Sequence, residues 1–532
     1  LRLAYDSDNF SEHWNYLRFA INTFSTPACD PGVSPTELPD NCGETALTPA
    51  ELFRRLDHWR SDYMVIPHGN SWGLYTPAGS NWKKQLSGNM QNPDKQTLIE
   101  VYSGHGNSEQ YRPWRAVNYD GNGKATCPEA SSDYLPCCRR AAQIIREQCP
   151  QPDSQSCDQK AQQAIDNFLA AGNSGYLTLD GVTLSDWKNC GQCTDCFQPA
   201  FSLRPGTSAQ AALATGNFDQ PQARHFRFGF LASSDNHSAR PGTGYKEYDR
   251  SNMTDTKGHT KRWENLQKKS NLGPVASKPP SLIKANPSNI FDLERASSFL
   301  YTGGLVGLHS TGRDRKSIWQ ALKRREVYGT SGPRILLNFE LLKESQANIP
   351  MGGESLQTNN PKFLVSASGS FQQKPGCPEF SQQGLSAKRL QRLCKNECYH
   401  PSDERRPIVR LEIIRVRSQQ NPTEALDTLI DDPWRVIECP ADGNGCRTEF
   451  TDPDFNRLQR NTAYYVRAIE QAIPTINAGA LRCEYNKQGA CVAVNPCYGD
   501  FRTEATDNCL ADSEHRAWSS PIFIDYLTPV SN

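Results

Sequence analysis

The chain has 532 residues, with 58 Lys plus Arg against 58 Asp plus Glu. That length calls for two or three domains, and the charge balance offers no basic field to draw in nucleic acid. No apolar run approaches the roughly 18 residues a membrane span needs, so no transmembrane segment is expected.

Nineteen cysteines narrow the class further. Ten fall between Cys29 and Cys196 and nine between Cys377 and Cys509. So many without regular zinc-finger spacing point to disulfides and an oxidising compartment, periplasmic or secreted. Cys190-x2-Cys193-x2-Cys196 has the look of a metal knuckle, but no second pair matches it. The neighbouring Cys137-Cys138 also suits bridges better than ligands. An odd total leaves at least one thiol free or bonded outside this sequence.

In chain order, Trp14, Leu17, Phe19 and Ile21 suggest a short packed element, followed by a Pro/Gly/Asp-rich loop around Cys29 and Cys42. A helix is predicted next. Thr48 is its N-cap, Pro49 its first residue and Glu51 its capping partner, with Leu52, Leu56 and Trp59 on one face. The run from Tyr63 to Asn70 reads as a buried strand ending on His68, and residues 97–105 as another, with Glu100 inside and His105 just beyond. This order suggests α/β architecture.

Residues 120–225 read as a cysteine-rich insertion holding eight cysteines and an amphipathic helix, with Ala161, Ile165, Phe168 and Leu169 inward and Gly172 at its end. A third apolar run, Phe226 to Ala232, breaks into Ser-Ser-Asp-Asn-His. Residues two apart on a strand share a side, so Asp235 and His237 face one way together. Such a pair is either half of a divalent-metal site or a turn capping the strand. Its position favours chemistry, because sites of α/β barrels gather at the C-terminal strand ends.

Residues 247–290 read as an exposed polar loop, and residues 315–326 as a helix carrying Ile318, Trp319 and Leu322. From Arg334 the pattern alternates. Ile335, Leu337, Phe339 and Leu341 form one strand, Val409, Leu411 and Ile413 a second, and Tyr464, Val466 and Ala468 a third. This predicts an all-β, sandwich-like domain stapled by disulfides. There is no internal repeat, nucleotide fingerprint or H-E-x-x-H helix.

Among ten histidines, His68, His105 and His237 each close a strand, with Glu100 and Asp235 nearby in sequence. Singly each reads as structural; together they read as a metal site at a barrel mouth. His309 is an outside candidate, and His225 reads as packing at the entrance of its strand. Trp72, Tyr75, Trp82, Tyr111 and Trp114 either wall a pocket or pack the loops down. Arg112, Arg115, Arg240 and Lys246 lie in these loops, where cations suit an anionic substrate or are simply solvated.

Several runs carry a resemblance. They are Val65-Ile66-Pro67-His68-Gly69, Glu100 through Glu109, Gly191 through Phe197, Ser234-Asp235-Asn236-His237 through Glu247, Arg324 through Arg334, and Arg516 through Ile522. They resemble the DUF3604 family, which is similar to the PHP superfamily of metal-dependent phosphoesterases. The resemblance implies the C-terminal part of a distorted PHP-like (β/α) barrel over residues 1–333, followed by a sandwich-like domain over 334–532. His68, Asp235 and His237 would be ligands of divalent ions (Zn, Mn or Fe). Glu100 and His105 would be second-shell or catalytic groups, and Arg240 and Lys246 would meet a small anionic or phosphorylated substrate. The H-x-H and T-D-H strands that open the PHP pattern do not precede His68. The expectation is therefore that an N-terminal segment is cleaved but stays bound, lies outside this sequence or comes from a companion chain. The function expected is that of a metal-dependent, phosphoesterase-like hydrolase. The alternative is a non-catalytic binding or assembly protein on a degenerate scaffold.

Overall fold

The computed structural model describes residues 10–59, 61–73, 76–182, 184–187, 190–200, 202–221, 223–235, 246, 275–283, 301–489, 491–497, 503–504 and 506–527. His237, Arg240 and Tyr75 lie outside the described residues. The predicted first element is a helix, α1 (Phe10–Ser25), yet it does not pack as expected: Trp14, Leu17, Phe19, Ile21 and Phe24 are all exposed. Helix α2 (Pro49–His58) starts as predicted, with Thr48 Oγ1 accepting from the Glu51 N–H at 3.2 Å. Its buried residues are Phe53 and Arg55, whereas Leu52 and Trp59 are exposed.

Strand β1 (Leu98–Ser103) is buried along its whole length. Both of its faces are covered, so Leu98, Ile99, Val101 and Tyr102 are buried on either side, with Glu100 among them. It pairs with the short β2 (Gly106–Asn107) on one side and runs parallel to β3 (Gly229–Ala232) on the other, Ile99 opposite Phe230. The run from residue 63 is not a regular strand; it lies extended along β1, with Glu100 N–H donating to Pro67 O at 3.0 Å. These strands form a three-stranded sheet, and among the described residues no barrel closes. The expected PHP-like barrel is thus replaced by one parallel pair with an antiparallel flank.

The insertion folds around α3 (Cys137–Glu147) and α4 (Gln155–Ala171), which pack with Ile144, Ile145, Ile165 and Phe168 in their core. Gly172 caps α4 at φ +56°, a left-handed turn that suits glycine. Cys127–Cys138, Cys137–Cys190, Cys149–Cys157 and Cys193–Cys196 staple it, so the apparent knuckle is divided between two bridges. Cys29–Cys42 and four further bridges after residue 376 make nine in all, leaving Cys394 as the free thiol.

Among the described residues, the C-terminal half contains two large sheets besides several two-stranded ones. The larger has the order β4 (Leu305–Leu308), β5 (Val327–Thr330), β13 (Arg516–Ser519), β12 (Thr462–Glu470), β9 (Ile408–Arg417), β10 (Ile430–Glu438). Strand β14 (Ile522–Tyr526) also pairs with β12, and β7 (Glu354–Gln357) with β14. The smaller sheet joins β6 (Leu336–Leu341), β8 (Lys362–Ser368) and β11 (Cys446–Thr451) to a short strand at Ile349–Pro350. The two share a core: Phe339, Phe363 and Phe450 meet Ile413, Tyr464 and Val466. Alternation sends the next residues of the larger sheet the other way. Ile414, Tyr465 and Trp518 enter a second core with Ile99, Val101, Phe228 and Phe230.

The larger sheet runs across residues 333/334, because β5 pairs with β13 and carries β4 on its other edge. A buried polar cluster closes the seam. Arg467 Nε lies 2.7 Å from Glu109 Oε1, and its terminal nitrogens lie 2.6 and 2.7 Å from the Asp432 carboxylate. Trp518 and Tyr465 both donate to Glu109.

Candidate functional site

The parallel pair β1/β3 places two chain ends side by side, and the polar residues that follow them converge. Ser103 ends β1; Gly104 and His105 come next. Ser233, Ser234 and Asp235 follow β3. Gly104 is needed for close approach, since a Cβ there would stand 2.8 Å from the Ser234 carbonyl oxygen. The segment at 301–304 closes over both ends, Tyr301 N–H donating to Gly104 O at 2.6 Å and Gly304 N–H to Ser233 O at 2.8 Å.

His105 is buried, its ring stacked on Trp72 with centroids 4.3 Å apart. Its Nε2 lies 3.4 Å from Asp235 Oδ2. Ser103 Oγ accepts from the His105 N–H at 3.1 Å and donates to Asp235 Oδ2 at 3.4 Å, tying the two strand ends together. Asp235 itself has φ +47°, a left-handed conformation that side chains other than Gly seldom adopt. Such strain gathers at functional sites.

Glu100 points into the same region from within β1. Its carboxyl is buried, receives a hydrogen bond from Ser233 Oγ and another from the Gly69 N–H. Burial pushes it up to about 7 and the Asp235 charge adds to this, against those two hydrogen bonds. A carboxyl poised near neutrality beside an ionised neighbour is suited to general acid–base work.

Of the residues read from the sequence, Glu100, His105 and Asp235 are brought together. His68 follows Pro67, whose carbonyl accepts from Glu100, and precedes Gly69, whose N–H meets the Glu100 carboxyl; its own side chain is exposed. Lys246 is a correction. It is buried, and its Nζ donates to Gly376 O and Cys398 O, both at 2.8 Å, and pairs with Glu397 at 2.6 Å. With its donors engaged in this way it anchors the Cys377–Cys398 loop, a structural task in place of the expected contact with substrate. His309 is drawn away too, Nε2 bonding to Leu337 O at 2.9 Å.

Only part of the aromatic cluster belongs here. Trp72 stacks on His105, while Trp82 packs with Phe226 and Phe228 in the core and Trp114 stacks on Tyr134. Sequence reading missed Ser103 and Ser233, whose hydroxyls link the acidic groups. Their one local signal is a serine directly at the end of each apolar run.

Among the described residues, three clusters have ligand atoms within 4.8 Å of one another, Cys377/Cys394/Cys398, Cys193/Asp195/Cys196 and Cys497/Asp507/Cys509, and Glu100, His105 and Asp235 do not approach that closely as a trio. Each includes a disulfide, and a sulfur committed to a bridge is not the thiolate a metal needs. The His105/Asp235/Glu100 group holds no disulfide sulfur and offers an imidazole, a half-buried carboxylate and a buried carboxyl, donor types that suit a divalent cation.

Residues 210–374 match the family described as protein of unknown function (DUF3604). The match covers Asp235 and strands β3 to β8, whereas Glu100, His105 and Trp72 lie before it. No curated protein and no solved structure matches the chain.

Proposed function

We propose that this DUF3604 chain is a metal-dependent hydrolase of small anionic esters, phosphoesters first, working at the ends of β1 and β3. The convergence of His105 and Asp235, just past the C-terminal ends of parallel strands, with Glu100 from within β1 carries the reading. Asp235 and His105 would hold a divalent ion such as Zn, Mn or Fe, with His68 and His237 as further candidates from the sequence. When bound, the ion supplies Lewis acidity and a water of lowered pKa. Glu100, near neutrality, exchanges a proton with the reacting group. Ser233 and Gly69 fix its carboxyl, Ser103 fixes Asp235, and Trp72 holds the His105 ring and excludes water from one face. Arg240 remains the candidate for the anionic part of the substrate. Nine disulfides suit an oxidising compartment, periplasmic or extracellular, and among the described residues no helix is long and apolar enough to cross a membrane.

The test is metal content and turnover of p-nitrophenyl phosphate and its bis ester by purified protein, stripped and reloaded with Zn, Mn or Fe. Asp235→Asn and His105→Gln should lower metal binding and abolish turnover, while Glu100→Gln should abolish turnover with metal retained. Less than one equivalent of metal and no hydrolysis would sink the proposal. That outcome would favour an assembly protein, a reading supported by the exposed Trp14, Phe19 and Phe24 on α1.

A further inference from the structure

The cysteine-rich insertion encloses a cavity of about 50 Å³ that the hydrolytic site does not use. Phe168 and Leu169 of α4, with Ala116 and Val117, give it an apolar wall. Tyr134, Tyr176 and Arg204 supply the polar side, and the exposed Gly172 and Asn173 border its mouth.

The polar groups are held in place. Tyr134 is 3% exposed, and its ring stacks on Trp114 with centroids 4.9 Å apart and planes 10° from parallel. Tyr176 Oη sits 2.9 Å from Ser202 Oγ. Arg204 Nη1 donates to Ser202 O at 2.8 Å, and Gly73 backs the guanidinium so closely that a Cβ there would stand 2.9 Å from Cζ.

Two donors in this setting have no acceptor: the Tyr134 hydroxyl and Arg204 Nε. Burial pushes the Tyr134 phenol up to about 12, so it stays protonated and remains a donor at neutral pH. A buried donor left unpaired is destabilising, because it has given up its water without gaining a partner. Among the described residues lining the cavity, Arg204 alone is charged and none is a carboxylate. The site therefore asks for an acceptor carrying negative charge, with an apolar remainder for the Phe168 wall. A single water needs roughly 10–15 Å³ of such space, so the room suits roughly three to five non-hydrogen atoms.

We propose that this cavity binds a short-chain monocarboxylate of acetate or propionate size, its carboxylate accepting from Tyr134 and Arg204 and its alkyl end against Phe168 and Leu169. Calorimetric titration of the full, disulfide-intact chain with propionate should give saturable one-site binding. Propionamide, of the same shape but uncharged, should bind at least tenfold more weakly. Arg204→Gln and Tyr134→Phe should each weaken propionate at least tenfold. The second change removes one oxygen, and an unaltered thermal midpoint confirms that it folds. Asp235→Asn should bind propionate as the parent does, which separates this site from the hydrolytic one. Absence of saturable binding, equal affinity for propionamide, or unchanged affinity in Tyr134→Phe would each overturn the proposal.

Discussion

Replacing Glu100 with Gln should stabilise the protein at pH 8 while removing its activity. Glu100 is 6% exposed, and its carboxyl rises from the ordinary 4.5 to about 7, chiefly through burial. The folded state thus holds this proton more tightly than the unfolded chain does. The stability linked to it is fully present below 4.5 and is lost as pH rises to about 7. At about 1.4 kcal/mol for each tenfold change in affinity, the loss is roughly 3 kcal/mol. A glutamine has no charge to bury. Its carbonyl still accepts from Ser233 or Gly69, but its amide faces the other donor, at a cost of about 1 kcal/mol. The variant should therefore match the parent near pH 5 and exceed it by about 2 kcal/mol at pH 8. Glu470, buried and also pushed up to about 7, titrates in both proteins and cancels in the difference. The assay is urea unfolding of metal-free, disulfide-intact protein at the two pH values. A variant less stable than the parent at pH 8, or a difference independent of pH, would refute the reasoning.

Arg467→Met should cost about 3–5 kcal/mol in the same assay, because it leaves Glu109 and Asp432 buried without their counter-charge. Gly104→Ala should abolish turnover with the circular dichroism spectrum unchanged, since the new Cβ pushes the Ser234 carbonyl, and with it Asp235, away from His105. Thiol titration of denatured, unreduced protein should find one group, Cys394; a dozen would place the chain in a reducing compartment. Replacing Cys137 and Cys190 together by Ser should cost about 2–5 kcal/mol, the usual range for a native bridge, and loosen the wall beside Tyr176.

Local chemistry made much of this legible in the sequence. The Thr48–Pro49 start of α2 follows from capping and the fixed φ of proline, and β1 and β3 from short apolar runs ended by Ser and His or Asp. Alternation marked Leu337, Phe339, Tyr464 and Val466 as one buried face, and the odd cysteine count required a free thiol. Pairings between distant segments have no such signature. The sequence around Lys246 looks like a substrate loop, and only the fold sets Gly376, Glu397 and Cys398 around its ammonium. Residues 305–330 look like the end of an α/β unit, yet β5 pairs with β13 almost 200 residues later, because a sheet edge accepts any strand whose backbone groups meet its own. Glu109 reads as an ordinary loop carboxylate until Arg467, Tyr465 and Trp518 close on it from the far side of the seam. The site divides the same way. Glu100, His105 and Asp235 were visible as residues of the right chemistry at strand ends. That β1 and β3 lie parallel and adjacent, so that Ser103 reaches Asp235 and Ser233 reaches Glu100, was decided by long-range packing that no local pattern encodes.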